Sequence, residues 1–214
     1  MKMEEMVELV ILAKSIKHRG YCVAGKCVAG KKNGEWIRVV SDEKGKELTC
    51  EQAMACNAND IKPLDKVKIN LIKPEPLPHQ PENHLNDQTK TWVQNDQITL
   101  DQLEQYLDSP TDLWGSNSNR ILYEDIENEK VKINNSLYLI RVHNIKTYQY
   151  TSDESKVKRR VSFDYNSVNY CLPVTDPEFD DIKSKELNNP ILCISLGENH
   201  ENYCYKIVAK IFYL

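Results

Sequence analysis

The order of elements in residues 136–214 restricts this chain more than any other feature of it. Ser136-Leu137-Tyr138-Leu139-Ile140-Arg141-Val142 opens a long strand that the pattern carries to Tyr150. Residues 151–155 form a polar turn, and residues 156–165 alternate around Val157, Val161, Phe163 and Tyr165, which predicts a second strand. Asn166-Ser167 turns the chain into a third strand over 168–172, closed by Pro173. Asp176-Pro177 reads as a helix start, with Asp at the N-cap and Pro at the first helical position. That helix extends to about Glu186 and is stopped by Asn188-Asn189-Pro190. Residues 191–196 are a fourth strand, 197–202 a turn, and 203–213 a fifth strand that places Tyr205, Ile207, Ala209, Ile211 and Tyr213 on one face.

Five strands with one helix between the third and fourth is the order of an OB-fold, a small Greek-key barrel. The first half repeats it. Strands are expected at 7–13, 20–28 and 35–41, a helix at 50–57 capped by Thr49, and a strand at 66–72. The fifth strand falls at 90–93. Between the halves, Lys73-Pro74-Glu75-Pro76-Leu77-Pro78-His79-Gln80-Pro81-Glu82-Asn83 carries prolines at 74, 76, 78 and 81, the composition of an extended linker. A short helix follows at 99–107, capped by Thr99, with Leu100, Leu103 and Leu107 as its apolar stripe. The expected fold is mainly β: two OB-fold-like Greek-key barrels, 1–75 and 136–214, joined by a proline-rich, acidic and partly helical connecting segment, 76–135.

The stretch HRGYCVAGKCVAGKKNGEWIRVVS contains CVAGK twice in tandem and matches the spacing of a phosphate-binding loop at Gly20–Lys26 and at Gly25–Lys31. Such a loop needs a Ser or Thr after the Lys, to hold a metal ion, and a helix beyond it. Here Cys27 and Lys32 follow, then Asn33-Gly34 and an alternating β-branched run, so the stretch reads as a β-hairpin whose glycines serve turns and close approaches. The seven cysteines (22, 27, 50, 56, 171, 193, 204) have no secretory context for a disulfide framework. Cys50-x₅-Cys56 is too wide for a structural zinc pair, Cys22 and Cys27 would face opposite sides of a strand, and the histidines (18, 79, 84, 143, 200) form no ligand motif, so neither metal nor cofactor is expected. The apolar run at 7–13 is too short to span a bilayer and lacks a signal-peptide cleavage pattern, which points to a cytoplasmic protein away from membranes.

The formal net charge of −4 conceals segregation. Residues 11–38 are net +6 and residues 141–165 net +3, whereas 75–130 are net −9 and 176–201 net −5. An acidic chain can therefore present a basic face.

The strings VILAKSIKHRGYCVAGK, EWIRVVS, PLDKVKINLIKPEPLPHQPEN and CISLGENHENYCYKIVAKIF together resemble the dual OB-domain family of prokaryotic proteins. The resemblance spans nearly the whole chain and is weakest over 84–135. It implies two OB-folds and an association with nucleic-acid-related and bacterial defence contexts. It brings no agreed catalytic motif with it.

OB-folds that bind single strands join a basic groove to aromatic side chains on which bases stack. In RVHNIKTYQYTSDESKVKRRVSFDYNSVNY, Tyr148, Tyr150, Lys156, Lys158 and Arg160 supply both, the three cations on one face of their strand opposite Val157 and Val161. The N-terminal hairpin adds Lys14, Lys17, Arg19, Lys31, Lys32, Trp36 and Arg38, with Trp36 as a further stacking platform. No Ser/His/Asp set or spaced carboxylate pair stands out, so a non-enzymatic module for single-stranded DNA or RNA is expected. The alternatives are a protein-interaction adaptor, for which the acidic segment is suited, and a small-molecule or nucleotide sensor subunit.

Overall fold

Two sets of strands emerge from this alternation. The computed structural model describes residues 5–17, 20–54, 60–115, 117–151, 157–182 and 187–213. The chain divides into two units, Met1–Tyr106 and Leu107–Leu214.

In the first unit, β1 (Glu5–Lys17), β2 (Gly20–Cys27), β3 (Trp36–Val40), β4 (Asp65–Pro74) and β5 (Asn83–Asn86) follow the order β1-β2-β3-β5-β4. Antiparallel pairing of β1 with β4 closes the barrel, and β3 runs parallel to β5. Alternation sets the inside: Val67, Ile69 and Leu71 of β4 are buried, with Lys66, Lys68 and Asn70 between them partly exposed. Gly25 is required where β1 and β2 meet, because a Cβ there would lie 2.1 Å from the Val10 carbonyl oxygen. The repeated CVAGK thus lies in a hairpin. β2 leads into a 3-10 turn at Gly30–Lys32, and Glu35 N–H donates to the Lys32 carbonyl across a turn with Gly34 at φ 83.

The proline-rich stretch is not a linker between barrels but the connection from β4 to β5 within this one. Leu77 and Gln80 exchange backbone hydrogen bonds at its tip, and Glu75 N–H donates to the Asn83 carbonyl. Proline ends β4 because it cannot donate to the ladder. The fifth strand therefore lies at Asn83–Asn86 and not at 90–93, and β6 (Val93–Gln97) takes the part of the β4 edge that β5 leaves. The segment 76–135 is thereby divided between the two units. The helix expected at 50–57 is a 3-10 helix at Glu51–Ala53 in its described part, with Thr49 and Gln52 capping each other; residues 55–59 lie outside the described ones. The helix at 99–107 is likewise a 3-10 helix, Leu100–Tyr106, whose buried residue is Leu103.

The second unit begins with β7 (Arg120–Leu122) and α1 (Tyr123–Glu127). Then come β8 (Leu137–Arg141), β9 (His143–Thr151), β10 (Val157–Tyr165), β11 (Val168–Pro173), α2 (Phe179–Ile182), β12 (Ile191–His200) and β13 (Tyr203–Phe212). They form two sheets, β11-β10-β9 and β7-β13-β12-β8. The single strand expected over 136–150 breaks at Val142, which is fully buried and donates its N–H to the Pro190 carbonyl, and Asn144 turns the chain at φ 51. One half then pairs with β12 and the other with β10. An isolated parallel bridge from Val174, just past β11, to Val208 of β13 links the two sheets, which among the described residues do not otherwise pair, so this unit is a half-barrel. Between the sheets lie Phe163, Tyr170, Leu172, Phe179 and Ile194.

Asp176 does more than cap. It accepts the Glu178 N–H on Oδ1 at 3.0 Å and the Ile211 N–H on Oδ2 at 2.9 Å, and Lys210 Nζ lies 3.3 Å away. It ties α2 to β13, and burial pushes its carboxyl above the usual range against the pull of Lys210. The helix expected to reach Glu186 is described as far as Ile182; residues 183–186 lie outside the described ones. The one-face reading of β13 holds only in part. Cys204, Lys206 and Val208 face the core, and a bulge at Ala209 then brings Ile211 inward.

Candidate nucleic-acid interface

Residues paired across antiparallel strands share a face. Tyr148 pairs with Arg160, Tyr150 with Lys158, and Lys146 with Ser162. The opposite face carries Val161, Phe163, Tyr170 and Leu172, all buried. The first group therefore points outward. Tyr148 and Tyr150 remain 44% and 47% exposed, large for aromatic side chains, and Lys146 and Lys158 are exposed beside them. Arg160 is half-buried; its Nε donates to the Tyr150 hydroxyl at 3.4 Å and its Nη1 to the Cys171 carbonyl at 3.2 Å. These bonds hold guanidinium and phenol together on the outer side of the sheet. Arg159 faces the other way, paired with Asp180 and 5.9 Å from the Phe179 ring, so it tethers α2.

Among the described N-terminal candidates, Lys14, Lys32, Trp36 and Arg38 do not assemble into such a face. β3 buries both of its sides. Ile37 and Val39 enter the barrel core, while Trp36 is 5% exposed under Lys26, whose Nζ lies 5.3 Å from its ring and donates to the Tyr106 carbonyl. Trp36 is therefore no exposed platform. Arg38 is buried in an ion pair with Glu82 at 3.3 Å. Lys14 is buried on Asp60 and over the Tyr21 ring at 4.2 Å. Lys32 is held by Glu5 at 2.6 Å and by His84 Nε2 at 3.1 Å. Burial, aided by the Lys32 ammonium, holds the His84 imidazole below its ordinary value against the pull of the Glu82 carbonyl. Lys31 is exposed in its turn. Lys17 ends β1 with its side chain outside the described ones, and Arg19 and Lys156 lie outside the described residues.

A second aromatic group escaped the sequence reading. The Arg120 guanidinium lies 4.0 Å from the Tyr203 ring and donates to the Tyr205 hydroxyl at 3.3 Å, with His200 6.5 Å from Tyr205. Arg120 sits on β7, in a stretch read as connector, and its pairing with Tyr205 is a product of the β7–β13 ladder. The alternation of Tyr203 and Tyr205 was the available signal.

No helix among the described residues is long and apolar enough to cross a membrane. A family model described as the dual OB-containing domain matches residues 7–211. Among curated proteins none matches. Among solved structures, the crystal structure of the tetrameric p202 HIN2 is similar at 8% identity and a TM-score of 0.36, with 100% of this chain and 95% of that chain covered. A likeness of that degree bears on neither fold nor function.

Proposed function

Because the chain belongs to the dual OB-containing domain family, we propose that it is a non-enzymatic module that binds single-stranded nucleic acid on the outer face of the β9–β10–β11 sheet. The observation that carries this reading is the pairing of two half-exposed tyrosines with cations directly across the ladder, Tyr148 with Arg160 and Tyr150 with Lys158. Bases stack on such rings whatever their sequence, and lysines beside them neutralise the phosphates between successive bases. The fold adds a prior by analogy only. A cytoplasmic location and a role in bacterial defence belong to the same proposal, the first from the nature of the partner and the second from the family resemblance.

Lys158→Ala is expected to flatten the dependence of log affinity on log salt by about 0.7 for each phosphate that the lysine neutralises. Tyr150→Ala is expected to weaken binding by about 1–3 kcal/mol with little change in slope. Both are read by titrating labelled single-stranded DNA and RNA across salt, after circular dichroism establishes that each variant is folded. Salt-independent or absent binding by the wild type would remove the proposal.

A second reading has its own observation. The Arg120–Tyr203–Tyr205 group lies beside Glu198, Glu201 and the acidic α1, surroundings that repel a phosphate backbone. Tyr and Arg anchors are enriched at protein interfaces. An adaptor role through this patch is compatible with strand binding on the other sheet. Arg120→Ala is expected to leave oligonucleotide affinity within about twofold, since Arg120 neutralises no phosphate in this arrangement.

A further inference from the structure

β9 pairs with β10 on one edge, and among the described strands none pairs with the other. An unpaired edge turns backbone N–H and C=O groups outward. Beside this edge, the turn at 187–189 encloses an open groove of about 640 Å³, within the roughly 300–1,000 Å³ of sites that hold small molecules. Lys146 and Tyr148 line it, and both also belong to the outer face described above. The groove therefore opens directly off that face.

Its remaining polar lining is mainly asparagine. Asn144 Nδ2 donates to Asp164 Oδ2 at 2.6 Å, which leaves its carbonyl oxygen as an acceptor. Asn189 Oδ1 accepts from His143 Nδ1 at 2.8 Å, which leaves its amide N–H groups as donors. Each amide is thus oriented by a partner outside the groove. Asn188 is exposed, and its side-chain amide has both functions to offer. Backbone geometry accounts for asparagine at two of these positions, since Asn144 (φ 51) and Asn189 (φ 47) occupy the left-handed region. It does not account for Asn188. Adjacent donors and acceptors fixed beside a stacking ring are what the edge of a nucleobase requires.

We infer that this groove takes one nucleotide of the bound strand, turned off the Tyr148 ring, and reads its base through Asn188, Asn144 and Asn189. The inference rests on the nucleic-acid reading above and adds base selectivity to it. The site is then a phosphate-tracking face with one base-specific position.

The test measures affinity at fixed salt for four homopolymeric single-stranded oligonucleotides of equal length, with wild type, Asn188→Ala and Asn144→Gly. Glycine keeps the positive φ at 144 while removing the amide, and Asn188 is exposed, so neither change endangers the fold. The wild type is expected to favour one base by about tenfold or more. Asn188→Ala should reduce that preference to within about threefold and leave the salt slope unchanged, since an uncharged amide neutralises no phosphate. Equal binding to all four oligonucleotides by the wild type overturns the inference while the nucleic-acid reading stands. So does a preference that survives in both variants. A free mononucleotide that binds as tightly as the oligonucleotide also overturns it, because the groove would then stand apart from the strand. Absence of binding to any oligonucleotide defeats the nucleic-acid reading itself and this inference with it.

Discussion

Trp36→Ala is expected to destabilise the first unit by about 3–5 kcal/mol and to leave single-strand affinity unchanged. The side chain lies on the side of β3 away from the barrel core, where alternation alone would expose it. It is 5% exposed because Lys26 crosses its ring and is itself anchored on the Tyr106 carbonyl. Truncation removes the apolar area and leaves a cavity under a lysine stem deprived of its support. Denaturant titration of wild type and variant reads the first effect, and oligonucleotide binding well below the unfolding midpoint reads the second. An affinity loss in a fully folded variant would return Trp36 to the interface.

Lys206 carries the second large effect. Its side chain is fully buried in the second unit, near the Tyr170 ring at 5.9 Å. Burial pushes the ammonium down from 10.5 to about 8, against the pull of Asp112. The folded value lies below the unfolded one, so between pH 8 and 10.5 the unfolded chain holds a proton that the native chain has released. Stability therefore rises with pH across that window, by about 3 kcal/mol in all. Below pH 8 both states are charged and the native state bears the full desolvation cost. Cys204 acts in the opposite sense from pH 9 upward, because burial raises its thiol from 9.0 to about 12 and the native state retains that proton longer. The clean interval is thus pH 8 to 9, where the wild type should gain about 1 kcal/mol from Lys206. Lys206→Met keeps the stem and removes the charge. It should be the more stable protein at about pH 7 and should lack this rise. Parallel pH dependence in the two proteins would mean that the buried amine is already compensated by its neighbours.

The architecture was legible because OB-fold strands alternate and their helix is capped by recognisable residues. Three features were not. The β4–β5 connection looked like a linker because proline composition marks chain breaks inside a barrel as readily as between barrels. The break at Val142 left no mark, since Arg141-Val142-His143 continues an acceptable strand pattern and only the pairing partners change. The bulge at Ala209 reversed the expected facing of β13 for the same reason. At the site, Tyr148, Tyr150, Lys158 and Arg160 were legible because core residues Val161 and Phe163 fix the parity of their strand. The engagement of Lys32, Lys14 and Arg38 was not, because their partners Glu5, Asp60 and Glu82 are remote in sequence. Charge counting weighs neighbours along the chain, whereas the barrel pairs residues across it.

A protease that cut after Glu75 would not release two intact halves. The piece ending there would lack the strand that lies between Arg38–Val40 and Leu71–Pro74, so two backbone edges of its barrel would be laid bare together. Bare edges recruit strands from other molecules. Such a piece is expected to precipitate or dimerise, whereas one ending at Tyr106 retains every partner of β3 and β4. The stretch that most resembles a seam in the sequence is a poor place to divide the protein.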